Sequence, residues 1–266
     1  MSRYIDIAVN LLSPSLIEHA DNIINDAERL NVSPLIVIGS DLNESLAAHE
    51  LALQYPRQLK TTAGVHPHQA NLWDEHSISD LKRLASLSSV VAIGECGLDY
   101  NRDFSPRDQQ RAAFEAQLAL AAELNMPVLM HCREAFGDFI AILSHYRSAI
   151  PYAVLHCFTG NQDDLTQCLA LDLHIGITGW VCDERRGKEL AQLVPSIPDS
   201  RLLIETDSPY LLPRSMRPKP KSSKNLPQYL PYILDYIAEI REQDATELAR
   251  ICYLNSCTVF GLEPVT

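Results

Sequence analysis

Eight short apolar runs, each followed by a polar stretch, recur along the 266-residue chain. They lie at 4–9 (YIDIAV), 35–38 (LIVI), 59–65 (LKTTAGV), 90–93 (VVAI), 127–130 (PVLM), 152–155 (YAVL), 174–177 (HIGI) and 202–204 (LLI). Runs this short and this apolar fit strands of a parallel sheet buried on both faces. Their alternation with helical segments leaves two architectures, a closed barrel or an open doubly wound sheet. An open dinucleotide-binding sheet carries a Gly-rich turn after its first strand. Here the first run is followed by Asn10-Leu11-Leu12-Ser13, without glycine. The expectation is an α/β protein with a (β/α)8 (TIM) barrel, one domain spanning residues 1–266.

Between the runs, helical spacing predicts helices over about 15–29, 43–55, 78–87, 134–146, 162–171, 187–194, 227–242 and 244–256. The clearest helix opens at Ser105-Pro106-Arg107-Asp108. Ser105 can cap it, Pro106 suits the first helical position and Asp108 stands where a capping-box acid would. It should end near Asn125, because Met126 precedes Pro127 and is steered away from helical geometry.

Apolar residues make up 46% of the chain and charged residues 21%, which allows a large core and argues against disorder. No apolar stretch is long enough to span a bilayer. The opening MSRYIDIAVNLL lacks a small-residue cleavage site, so a cytoplasmic protein is expected. The seven cysteines are odd in number and include no Cys-x-x-Cys pair, which disfavours a disulfide framework or zinc ribbon. Cys96, Cys132 and Cys157 each follow a candidate metal ligand and read as small buried neighbours of a site. The formal charge of −12 works against a polyanionic partner. Residues 214–224 (RSMRPKPKSSK) soften that objection, with five of the 22 Lys and Arg and no acid, just after the last strand.

A barrel builds its active site at the C-terminal ends of its strands. The third run ends in Gly64-Val65-His66-Pro67-His68, the fourth in Gly94-Glu95-Cys96-Gly97 and the fifth in His131-Cys132-Arg133. The sixth ends in His156-Cys157-Phe158 and the eighth in Glu205-Thr206-Asp207-Ser208-Pro209. A lone histidine or carboxylate at a strand end is more often structural than functional; five converging on one face of a barrel point to a site. His19, His49, His76 and His145 fall in helices or loops, and His174 at the start of its strand, so all five read as structural. Two imidazoles and a carboxylate from neighbouring strands can hold a divalent cation and leave positions open for water and substrate. Such an ion acidifies water and offsets charge on an anionic oxygen. Asp207 is the candidate base.

These motifs resemble the TatD family of metal-dependent nucleases, within the amidohydrolase-like barrels. GVHPH at 64–68, IGECGLD at 93–99, MHCR at 130–133, LHCFTG at 155–160, IGITG at 175–179 and IETDSPYL at 204–211 fall in the family's order, and WVCDERRG at 180–187 adds to the likeness. The resemblance implies a Mg²⁺-dependent deoxyribonuclease, a 3′→5′ exonuclease preferring single strands and acting also on RNA, with a role in DNA repair or degradation. Glu95, His131 and His156 match the family's metal-binding positions. Asp207 matches its strand-eight aspartate, a ligand and proton acceptor, while Glu205 and His66 match other polar active-site positions. Arg133, Arg217 and Lys219 are assigned as phosphate contacts from their charge and placement. No membrane and no obligate protein partner is indicated.

One departure stands out. The wider family opens with His-x-His at the end of strand one, where this chain has Ala8 and Asn10. A single ion at Glu95, His131 and His156 is therefore expected. With fewer imidazoles the preference moves toward Mg²⁺ or Mn²⁺, although the histidine pair would still accept Zn²⁺. Two alternatives share the barrel: a hydrolase of amide or ester bonds, and a binding protein with a degenerate metal site. Relatives of the first kind often carry a carboxylated Lys late in strand four, where this chain has Glu95 and no nearby Lys.

Overall fold

The structure, a computed structural model, describes residues 2–265. Eight strands form one parallel sheet in the order of the chain: β1 (Tyr4–Val9), β2 (Val32–Val37), β3 (Leu59–Ala63), β4 (Val90–Asp99), β5 (Val128–Arg133), β6 (Ala153–Leu155), β7 (His174–Ile177) and β8 (Leu202–Ile204). The helices that return the chain are α1 (Ala20–Arg29), α2 (Leu42–Gln54), α3 (Ser77–Ala85), α4 (Arg107–Leu124), α5 (Phe136–Tyr146), α6 (Gln162–Ala170), α7 (Lys188–Leu193) and α8 (Leu230–Ile240). A further helix, α9 (Ala245–Phe260), follows. No described helix is long and apolar enough to cross a membrane.

Strand residues divide alternately between two apolar clusters, as the two-residue period of a strand requires. Ile5, Ile7, Ile36, Ile38, Ala92, Leu129, Val154 and Leu203 pack together as the barrel's filling, joined by Tyr253, Cys257 and Phe260 of α9. Leu35, Val37, Ile93, Val128, Met130, Leu155, Ile175, Leu202 and Ile204 pack with the helices instead. Both faces of the sheet are thus covered, which accounts for the unbroken apolar runs.

The ring is closed by side chains as well as backbone. Just past β8, Asp207 N–H donates to Ala8 O at 3.0 Å, and Asn10 N–H to Ser208 O at 2.9 Å. Beside them the buried Asp6 carboxylate accepts from Thr206 N–H (2.9 Å) and from the Thr206 hydroxyl (2.5 Å). Burial raises the Asp6 pKa to about 8, against the lowering effect of the two Thr206 hydrogen bonds.

Element boundaries differ from the sequence reading where glycine or proline interrupts the apolar pattern. The second strand begins at Val32 and runs through Pro34, and the third stops at Ala63. The fourth continues six residues past the expected end at 93, to Asp99, because Gly97, Leu98 and Asp99 pair with His131, Cys132 and Arg133 of β5. Gly97 permits this: its φ is +137°, and a Cβ there would lie 1.9 Å from His131 O. The start of α4 is also corrected. Pro106 takes the N-cap position and Ser105 does not cap. Its hydroxyl instead donates to His68 O (3.0 Å) and accepts from Asn71 N–H (3.1 Å), tying the loop after β3 to the helix. The helix ends as expected, at Asn125 in the left-handed conformation.

Candidate active site

One oxygen organises the mouth of the barrel. Glu95 Oε1, from β4, lies 2.7 Å from His156 Nε2, 3.2 Å from His131 Nδ1 and 3.3 Å from His66 Nε2. The three imidazoles arrive from three strands. His131 belongs to β5, His156 directly follows β6 with its N–H bonded to Met130 O (3.0 Å), and His66 follows β3 with its N–H bonded to Ser40 O (2.8 Å). Glu95 N–H in turn donates to Gly39 O at 3.0 Å. The backbone thus sets the spacing before the side chains meet.

Glu205 lies past the end of β8 and is fully buried. Its Oε1 accepts the Cys157 N–H, and its Oε2 stands 3.4 Å from His156 Nδ1. Gly176 of β7 makes room for it, since a Cβ there would be 2.8 Å from Glu205 Oε1. Asp207 has a left-handed backbone (φ +52°), and its Oδ1 accepts from Asn10 Nδ2 at 2.9 Å. Asn10 therefore orients this carboxylate. Ala8 contributes no side-chain donor.

Two residues that the sequence reading left without a role join the cluster. His68 Nε2 is 2.6 Å from Asp99 Oδ2, and His131 Nε2 is 3.5 Å from the same oxygen. Asp99 Oδ1 accepts the Asn101 and Arg102 N–H groups, both at 2.9 Å. The signal was present in the IGECGLD motif, but Asp99 went unassigned because the strand carrying it was ended too early. His174, by contrast, is buried at the start of β7, as expected of a structural residue.

The electrostatics follow from crowding charge into a buried space. Burial would raise the Glu95 pKa, but His156, His66 and His131 hold it well below the usual carboxylate range. Burial would lower His156 and His131. Glu95 and Glu205 carry the first well above its ordinary value, and Asp99 and Glu95 raise the second. His66 is lowered by burial despite Glu95. Asp99 is pulled far down against burial by its bonds to His131, His68 and backbone amides. Asp207 goes the other way, to about 7: burial raises it, His156 opposes, and the charges of Glu95 and Glu205 add to the rise.

The cluster suits a cation. His131 Nε2, His156 Nδ1 and Glu205 Oε2 are buried without a hydrogen-bond partner. They face charged neighbours at longer range, His131 Nε2 with Asp99 Oδ2 at 3.5 Å and His156 Nδ1 with Glu205 Oε2 at 3.4 Å, which leaves His131 Nδ1, His156 Nε2 and His66 Nε2 turned toward Glu95 Oε1. Among the described residues, His66, Glu95 and His131 form a group whose donor atoms all lie within 4.8 Å of one another. Nitrogen and oxygen donors of this kind accept a divalent metal.

The expected phosphate contacts are dispersed. The Arg133 guanidinium donates to Thr159 Oγ1 at 3.2 Å and lies over the Trp180 ring, 5.6 Å from its centroid. Arg217 and Lys219 lie in the loop after β8. Arg217 Nη1 donates to the carbonyls of Arg214 (2.9 Å) and Met216 (2.7 Å), and Lys219 lines a cavity shared with Trp180 and Arg186.

Comparison with known proteins agrees with this architecture. A "3'-5' ssDNA/RNA exonuclease TatD" from Pectobacterium parmentieri is 51% identical over 257 residues, covering 97% of this chain and 99% of that protein. The protein of the same description from Escherichia fergusonii is also 51% identical, over 97% and 98%. Among solved structures, a TatD family hydrolase from Entamoeba histolytica superposes with a TM-score of 0.87 at 28% identity, over 97% of this chain and 98% of its own. A TatD homologue from Escherichia coli gives 0.89 at 24% identity, over 98% and 99%, a likeness of fold. The sequence profile of the TatD related DNase family matches residues 5–261, nearly the whole barrel, and the chain belongs to that family.

Proposed function

We propose that this protein is a divalent-metal-dependent 3′→5′ exonuclease that hydrolyses phosphodiester bonds of single-stranded DNA and RNA. The observation that carries the reading is the meeting of three imidazoles on Glu95 Oε1, with a second carboxylate behind the ring of His131 and of His156. The near-full-length relatives described as TatD exonucleases support the substrate class. Glu95, His131 and His156 would hold the ion, with His66 beside them. When bound, a divalent ion supplies positive charge against the anionic oxygens of the phosphodiester and makes water more acidic.

The other residues prepare the reaction around that charge. Asp207 is the proposed proton acceptor, with Oδ2 available while Asn10 fixes Oδ1. Glu205 orients the His156 ring from the side away from Glu95. Asp99 does the same for His131 and also binds His68. Carboxylates behind imidazoles fix ring orientation and raise basicity. With Asn10 bonded to Asp207 and Ala8 inert, one ion is the stoichiometry we propose. Mg²⁺ is the proposed metal, and Mn²⁺ and Zn²⁺ are the ions that the imidazoles would also accept.

The test is hydrolysis of 5′-labelled single-stranded oligonucleotides. His131→Ala and His156→Ala should each lower the rate by ~100-fold or more, with the circular dichroism spectrum of the folded protein retained. Chelation should abolish the wild-type rate and added Mg²⁺ should restore it. Full activity in either variant would overturn the ligand assignment. Metal-dependent turnover of amides or lactones but not of phosphodiesters would select the alternative hydrolase reading.

A further inference from the structure

Two cavities of about 530 and 540 Å³ open at the mouth of the barrel, and Trp180 and Arg186 line both. The first cavity adjoins the metal-site strands: Arg133 follows His131 by two residues, and Phe158 follows His156 by two. The second is walled by the basic loop, including Lys219 and Lys221. The indole between them is held in a set orientation. It lies in the short 3₁₀ turn Gly179–Cys182 after β7, whose Thr178 hydroxyl accepts the Trp180 N–H at 3.2 Å. The indole Nε1–H donates to Arg186 O at 3.2 Å. The Arg186 guanidinium sits 4.5 Å from the ring centroid and that of Arg133 at 5.6 Å. Arg186 is itself held by the buried Asp183 carboxylate at 3.1 Å.

An indole with guanidinium groups over its ring at 4.5 and 5.6 Å, shared by a cavity next to the metal-site strands and one lined by lysines, matches the needs of one ligand class. Nucleobases stack on aromatic rings whatever their sequence, and cations beside the ring bind the adjoining phosphates. We propose that Trp180 is the stacking platform for a nucleobase of the single-stranded substrate, with Arg133 and Arg186 binding its neighbouring phosphates. This rests on the exonuclease reading and adds a cause for strand preference. A base within a duplex is stacked and paired, and must be released at a cost before it can lie on the indole.

The chain has two tryptophans, so Trp73→Phe leaves Trp180 as the sole indole fluorophore. In that variant, with chelator present, oligo(dT) should quench the fluorescence in step with binding followed by anisotropy. Unchanged emission at saturation would overturn the proposal. Kinetics supply the second arm, using oligonucleotides with either ordinary or abasic tetrahydrofuran residues at the 3′ end. Trp180→Ala should lower kcat/KM on the base-bearing strand by ~10-fold or more, leave the abasic strand unchanged, and be largely rescued by Trp180→Phe. An equal loss on both strands would mean a merely structural role, and no loss on either would mean no stacking; both refute the platform. Should the wild type cut neither strand, the exonuclease reading falls, and the quenching experiment still decides whether the indole meets a base.

Discussion

His174 illustrates what burial does to an imidazole with no carboxylate hydrogen-bonded to it. It packs edge-on against Tyr152, with ring centroids 5.9 Å apart, and its Nδ1 has no hydrogen-bond partner. Burial lowers its pKa to about 4, Arg201 and Arg147 add to the fall, and Asp172 opposes it. The unfolded chain titrates near ~6.5, so between these values it binds more protons than the folded chain. Stability therefore rises with pH across this window, is complete above it, and is lost as pH falls from ~6.5 toward 4. We expect His174→Phe, which fills the space and cannot charge, to shrink the drop in urea-derived stability between pH 7.5 and 4.5 by about 2–3 kcal/mol. An undiminished drop would show that His174 is not the group being titrated. At His156 equal burial accompanies the opposite shift, because Glu95 and Glu205 face its two nitrogens.

Among the elements, β1 and β8 carry the closure. Their junction relies on the Asp6 carboxylate, two Thr206 groups and a 2.6 Å contact between the Thr206 and Ser208 hydroxyls. Thr206→Val keeps the shape and removes one hydroxyl, leaving Asp6 Oδ2 and Ser208 Oγ short of a partner in a dry environment. The expected loss is about 1–3 kcal/mol, read as a lower urea midpoint at constant m-value. An unchanged midpoint would mean that the seam is held by backbone alone. Strand and helix order was legible because short apolar runs and helical segments alternate through all eight strands, with one additional helix at the end. Lengths were legible in β1, β7 and β8, which have the bounds expected of them, whereas β5 runs three residues past its expected end to Arg133. In β4, Gly94 and Gly97 look like the end of a strand, yet they mark close approach to β5, with Cβ positions within 2.3 Å and 1.9 Å of the carbonyls of Leu129 and His131. Ser105 likewise matched a capping pattern, but a tertiary partner, His68, took its hydroxyl.

At the level of the whole molecule, charge distribution outweighs net charge. The formal −12 coexists with a cationic loop at 214–224 beside the mouth of the barrel. Replacing Arg217 and Lys219 with Gln should weaken binding of single-stranded DNA. It should also flatten the slope of log K against log salt by ~0.7 for each phosphate that is no longer neutralised. An unchanged slope would remove this loop from the binding surface. Much of the cluster was legible in the sequence because a barrel sends every strand end to one face; Glu95, His131, His156 and His66 meet as that geometry requires. What could not be read was pairing across strands: Asn10 with Asp207, Asp99 with His68, Arg133 with Trp180. These depend on register and rotamer, which leave no periodic mark. The ring's closure on its first and last strands carries a further consequence for the timing of catalysis. A nascent polypeptide whose eighth strand is still inside the ribosome holds Glu95 and its imidazoles but neither Glu205 nor Asp207. Only when the first and last strands meet do Glu205 and Asp207 join Glu95 and its imidazoles, so the cluster completes itself together with the ring.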